Sequence, residues 1–124
     1  MSARVMVVDD SVMVRQQVSR ALTGAGFAVV EAHDGVDALA KLAAGPGVAL
    51  VVLDVNMPNM GGIELLQSMR ANGDYAALPV VMLTTEGQPR LMQQAKELGA
   101  KGWIIKPFKP ELLVAAVHKL TRAA

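Results

Sequence analysis

The chain has 124 residues, of which 52% are hydrophobic, a formal net charge of +1 and no cysteine. That length supports one domain with a real core, so residues 1–124 are read as a single domain carrying no separate output module. The near-neutral charge argues against direct DNA binding, the short apolar runs fall well below the roughly 20 residues that span a bilayer, and the lack of cysteine removes disulfides, thiolate metal sites and cysteine nucleophiles. Arg4 precedes a brief apolar run that Asp9 and Asp10 break, unlike the longer apolar region of a secretory signal, so the expected location is the cytoplasm.

In chain order, Val5-Met6-Val7-Val8 reads as a strand, and Val14, Val18, Ala21 and Leu22 mark a helical stripe that Gly24 and Gly26 close. Ala28-Val29-Val30 is a second strand, followed by a helix carrying Val36, Leu39, Ala40 and Ala43 and ended by Gly45-Pro46-Gly47. Leu50-Val51-Val52-Leu53 precedes a helix with Leu65, Leu66 and Met69. Val80-Val81-Met82-Leu83 precedes one with Leu91, Ala95 and Leu98, which Gly99 terminates. Trp103-Ile104-Ile105 is followed by a last helix with Leu113, Ala116, Val117 and Leu120, and Pro110 suits its first turn. The strand runs are continuously apolar, as strands covered on both faces should be. Five βα units imply an α/β fold: a five-stranded parallel, doubly wound sheet with right-handed crossovers, whose ligands bind at the carboxyl ends of the strands.

Polar residues collect where the strand runs stop. Asp9 and Asp10 follow the first, Asp54 the third, Thr84 the fourth and Lys106 the fifth. Only the second strand, followed by Glu31-Ala32-His33, lacks an obvious contributor, which fits a strand at the outer edge of the sheet. Three clustered carboxylates repel one another unless a cation compensates, and oxygen ligands without cysteine favour Mg²⁺. Lys106 adds a fixed positive charge and Thr84 a hydroxyl, which together suit the oxygens of a transferring phosphoryl group. One carboxylate would then be the nucleophile. Asp54 is the choice, because the Asp9/Asp10 pair is better suited to holding metal. Taken singly, any of these residues is more often a helix cap than a catalyst.

These motifs closely resemble the response-regulator receiver family, and within it the single-domain chemotaxis (CheY-like) regulators. Val8-Asp9-Asp10-Ser11, Asp54-Val55-Asn56-Met57-Pro58 with Gly62, Leu83-Thr84-Thr85-Glu86 and Lys106-Pro107-Phe108 carry the resemblance across the whole chain. It implies a flavodoxin-like (βα)5 fold with strand order 2-1-3-4-5, a cis Lys106-Pro107 bond and a signalling phosphoacceptor, not an enzyme acting on a substrate. By the resemblance, Asp54 is the phosphoacceptor, and Asp9, Asp10, Asp54 and the backbone carbonyl of Asn56 hold Mg²⁺. Thr84 and Lys106 bind the phosphoryl group, Asn56 and Glu86 tune autodephosphorylation toward fast resetting, and Thr84 and Trp103 form the switch.

The implied partners are a CheA-like histidine kinase, which chooses its regulator partly through Val12, Met13 and Arg15, and a protein target on the fourth helix, fifth strand and fifth helix. The flagellar switch is one candidate target, and the regulator is expected to be a monomer. Residues 1–85 sum to −3 and residues 86–124 to +4, the latter including Arg90, Lys96, Lys101, Lys109, Lys119 and Arg122. This reads either as an ordinary mixed surface or as an acidic site backed by a basic partner face. Trp103 stands where regulators of the flagellar switch usually carry tyrosine. From the residues alone it reads rather as packing at the core edge. His33 and His118 read as surface residues.

Three readings remain within the family: chemotaxis regulator, phosphate sink and relay or allosteric partner. A small-molecule aspartyl-phosphate phosphatase of the haloacid dehalogenase type needs a second Asp where Asn56 stands. A flavodoxin-like electron carrier would not place Asp9 and Asp10 beside a flavin phosphate, and no Gly-x-x-x-x-Gly-Lys-Ser/Thr phosphate loop occurs.

Overall fold

The computed structural model describes residues 3–45, 47–55, 57, 60–73, 75–84 and 89–122, the last without its side chain. Among the described residues ten elements alternate: β1 (Arg4–Val8), α1 (Val12–Gly24), β2 (Ala28–Ala32), α2 (Gly35–Ala43), β3 (Leu50–Asp54), α3 (Gly62–Ala71), β4 (Val80–Thr84), α4 (Pro89–Glu97), β5 (Gly102–Ile105) and α5 (Pro110–Arg122). All pairings are parallel and the strand order is β2-β1-β3-β4-β5, as the resemblance implies. β2 is an edge strand, as its lack of a polar terminus suggested.

The continuous apolar runs divide between two cores because successive strand side chains point to opposite faces. Met6, Val8, Val51, Leu53, Val80 and Met82 pack with Ala38 and Leu42 of α2, Leu65, Leu66 and Met69 of α3, and Ala95 of α4. Val5, Val7, Leu50, Val52, Val81 and Leu83 pack with Val18 and Leu22 of α1 and Leu113 and Val117 of α5. β1, β3 and β4 form the buried centre, where every apolar residue from Val5 to Val8, Leu50 to Leu53 and Val80 to Leu83 is at most 1% exposed.

Two features differ from the sequence expectation. β2 runs on through Glu31 and Ala32. In α4 only Ala95 is buried, and Leu98 lies in the turn after the helix. The C-terminal end of α4 is held by Arg70 of α3, whose guanidinium donates to the carbonyls of Leu98 (2.6 Å), Leu78 (2.9 Å), Tyr75 (3.2 Å) and Gly99 (3.4 Å). Among the described residues no helix is long and apolar enough to cross a membrane.

Candidate functional site: a carboxylate cluster at the strand ends

In the order β2-β1-β3-β4-β5 the chain steps outward from β1 to β2 and then crosses back to β3. Connections after β1 and β3 therefore leave in opposite directions and open a crevice at their carboxyl ends. Asp9 follows β1 and Asp54 ends β3, so both face this crevice, with Thr84 ending the neighbouring β4 and Lys106 following β5. The approach of α3 is set by Gly62: a Cβ there would run into the Asp54 carbonyl oxygen and stand 2.9 Å from Val55 Cα. This accounts for the glycine in the motif.

The structure brings together the described residues singled out by sequence. Asp9, Asp10 and Asp54 each offer a carboxylate oxygen, and these oxygens lie within 4.8 Å of one another. Asp9, Asp54 and Thr84 are buried, at 1%, 5% and 2% exposure, while Asp10 is exposed. Lys106 Nζ reaches between the two buried carboxylates, 2.7 Å from Asp9 Oδ2 and 3.4 Å from Asp54 Oδ1. The Lys106-Pro107 bond is cis. Asn56 and Glu86, together with Pro58, Thr85 and the rest of the connection between β4 and α4, lie outside the described residues.

The helix-cap reading does not account for the acids. Ser11 caps α1, its hydroxyl accepting from Val14 N at 3.3 Å, and Gly61 is the N-cap of α3. Asp9 is instead fixed by all four of its polar groups. Its N–H donates to Ala32 O, its carbonyl accepts from Arg15 Nη1 at 2.6 Å, Oδ1 accepts from Ser11 N at 2.9 Å, and Oδ2 accepts from Lys106.

Electrostatics mark Asp54 as the strained member. Burial, together with the charges of Asp9 and Asp10, pushes its carboxyl up from 3.8 to about 6 against the opposing pull of Lys106. Burial also disfavours the charge on Lys106, but its hydrogen bond to Asp9 and the attraction of Asp54 and Asp9 outweigh this and raise its pKa above the ordinary lysine value. Negative charge is therefore undercompensated by one ammonium, and the ligands are hard oxygens. This donor set fits a divalent cation such as Mg²⁺.

Arg15 makes contacts that sequence reading did not foresee. Assigned to the kinase-facing surface of α1, it folds back with 15% of its side chain exposed, pairs through Nε with Glu31 Oε1 at 3.2 Å and holds the Asp9 carbonyl. β2, seemingly without a contributor, thus reaches the site through Glu31. Trp103 lies on β5 opposite Met82 and packs against the α2–α4 core, its indole N–H buried without a hydrogen-bond acceptor among the described residues. With Met92 and Lys96 of α4 and Lys101 it lines a groove of about 490 Å³. His33 and His118 are exposed, as read, and His33 pairs with Asp37 at 2.9 Å.

A parallel (βα)5 sheet with an acid cluster and a bridging lysine at its β1/β3 crevice defines a phosphoryl-transfer signalling domain, and comparison with known proteins agrees. Residues 5–118 match the response regulator receiver domain, and the chain belongs to that family. It is 36% identical over 111 residues to the chemotaxis protein CheY1 of Helicobacter pylori strain J99, covering 89% of this chain and 90% of that one. It is 38% identical to a CheY homologue of Campylobacter jejuni, with 89% and 85% coverage. Among solved structures, the chemotaxis protein CheY4 of Vibrio cholerae superposes with a TM-score of 0.90 at 42% identity, covering 97% of this chain and 99% of the other.

Proposed function

We propose that this receiver domain, taken as residues 1–124, is a chemotaxis response regulator that accepts a phosphoryl group on Asp54 from a CheA-like histidine kinase in a Mg²⁺-dependent reaction. The observation that carries the reading is the buried Asp54 carboxylate, raised to about 6 and flanked by Asp9, Asp10 and Lys106. An Asp54 oxygen attacks phosphorus, the bond from phosphorus to the donor imidazole breaks, and the imidazole keeps the electron pair. Asp9, Asp10, Asp54 and the Asn56 carbonyl would hold Mg²⁺, which when bound offsets the charge of the carboxylates and of the phosphoryl oxygens. Lys106, now paired with Asp54, would leave that ion pair for a phosphoryl oxygen, and Thr84, buried at the end of β4, would supply a hydroxyl donor. Asn56 and Glu86 are assigned to resetting by autodephosphorylation. The names of the relatives support chemotaxis, and the protein would act in the cytoplasm, where its kinase is reached.

The added charge of about −1.5 to −2 draws Thr84 toward the site and changes the packing of Trp103, altering the face formed by α4, β5 and α5. Exposed Arg90, Lys96, Lys101, Lys109 and Lys119 suit that face to an acidic protein target, for which the flagellar switch is one candidate. The indole at Trp103, which lacks a phenolic hydroxyl, favours a second reading as a phosphate sink or relay receiver outside the motor.

The test is the fluorescence of Trp103, the sole tryptophan, during addition of Mg²⁺ and then beryllofluoride. A Mg²⁺-dependent change that is lost in Asp54→Asn is expected. The same change in the mutant would refute coupling between this site and the output face.

A further inference from the structure

We infer that Arg15 and Glu31 form a positioning pair that sets the Asp9–Asp10 peptide for metal binding, an inference that rests on the acid cluster being the Mg²⁺ site. A peptide unit is planar, so holding the Asp9 carbonyl oxygen also fixes the direction of the Asp10 N–H and the course of the chain into Asp10. Arg15 Nη1 holds that oxygen at 2.6 Å. The planar guanidinium has several donors in one rigid fork, and Nε is committed to Glu31 Oε1 at 3.2 Å, so the fork cannot turn away without losing both bonds.

The backbone of Glu31 is held on β2 opposite Val7, with its carbonyl accepting from Lys41 Nζ, while its carboxylate, 43% exposed, reaches Arg15 across the surface. The edge strand thereby braces the turn after β1. Asp10 needs this bracing because its side chain is exposed, whereas Asp9 is locked on every polar group. Groups that orient metal ligands in this way influence affinity without touching the ion.

The sign of the effect separates positioning from plain charge. Arg15 carries positive charge close to an acid cluster, so by electrostatics alone its removal would tighten binding of a divalent cation. Positioning requires the opposite. It also requires that lysine, which keeps the charge on a single flexible ammonium, fails to replace arginine.

The experiment is Mg²⁺ titration by calorimetry on wild type, Arg15→Met, Arg15→Lys, Glu31→Gln and Asp10→Asn, each first checked for a native circular dichroism spectrum. Arg15→Met and Arg15→Lys should both weaken Mg²⁺ binding, by about tenfold, and Glu31→Gln should weaken it less. Arg15→Lys keeps the charge and most of the side-chain volume, so it serves if Arg15→Met does not fold. Unchanged or tighter Mg²⁺ binding in the Arg15 variants, with Asp10→Asn weakened, overturns the positioning role alone. Unchanged binding in Asp10→Asn overturns the metal site and the inference with it.

Discussion

Asp54 is a carboxylate that the fold resists ionising, because burial and the neighbouring Asp9 outweigh Lys106 and lift its pKa to about 6. In the native state it therefore keeps a proton over a pH range in which the unfolded chain has already released it. Its destabilising effect is absent below about pH 4, grows as pH rises toward 6 and is complete above that. In EDTA, Asp54→Asn should accordingly be more stable than wild type at about pH 8, by up to about 2 to 3 kcal/mol. The gap should close as pH falls through 6. Denaturant unfolding across this range checks it, and a gap that widened on acidification would contradict the assignment. Asp9, Asp10, Asp54, Thr84 and Lys106 were legible in the sequence because each is a polar residue that ends an apolar run. Arg15 was not: a guanidinium folded over its own helix N-terminus has the same sequence pattern as one in solvent. The one clue was Glu31, an acid that the second strand run meets and, in the structure, includes.

At the scale of elements, α4 is the loosely held member, with Ala95 its one buried residue and its C-terminal turn tied to α3 by Arg70. Burial lowers the pKa of this guanidinium, so its charge is held where solvent is scarce, and it donates to four main-chain carbonyls, of which that of Tyr75 also accepts from Leu78 N. Arg70→Met should lower stability by about 1 to 3 kcal/mol and speed amide exchange in the turn from Leu98 to Lys101. A change within about 0.5 kcal/mol, the range of an ordinary surface substitution, would show that the clamp contributes little. Gly99 belongs to the same contact. It has φ +84°, and a Cβ there would stand 3.3 Å from Arg70 Nε. Sequence revealed Gly99 as a helix terminator, but Arg70 binds main-chain carbonyls, which leave no trace in side-chain identity. The boundary of β2 was misjudged for a related reason: Glu31 interrupts the apolar run that defined the strand, although its backbone continues the ladder opposite Val7.

For the whole molecule, the alternation of apolar runs and helical stripes was enough to give a doubly wound parallel sheet. Strand order was not in that pattern and followed from the family resemblance, with the missing polar terminus of β2 as the one independent hint. Because the acid cluster joins residues from β1 and β3, cation binding there should couple to global stability. Mg²⁺ at about a hundredfold above its dissociation constant should stabilise the wild type by about 2.7 kcal/mol, while Asp10→Ala should gain little at the same concentration. Equal stabilisation of both would place the cation elsewhere.

The proposed phosphoacceptor is Asp54, and neither Asp9 nor Asp10. Intact mass and peptide mapping after treatment with acetyl phosphate, with Mg²⁺ or EDTA, in wild type and Asp54→Asn, test it most directly. A single Mg²⁺-dependent phosphoryl adduct is expected on the peptide containing Asp54, with none in the mutant. An acid-labile adduct retained in Asp54→Asn, or mapped to Asp9 or Asp10, would contradict the assignment.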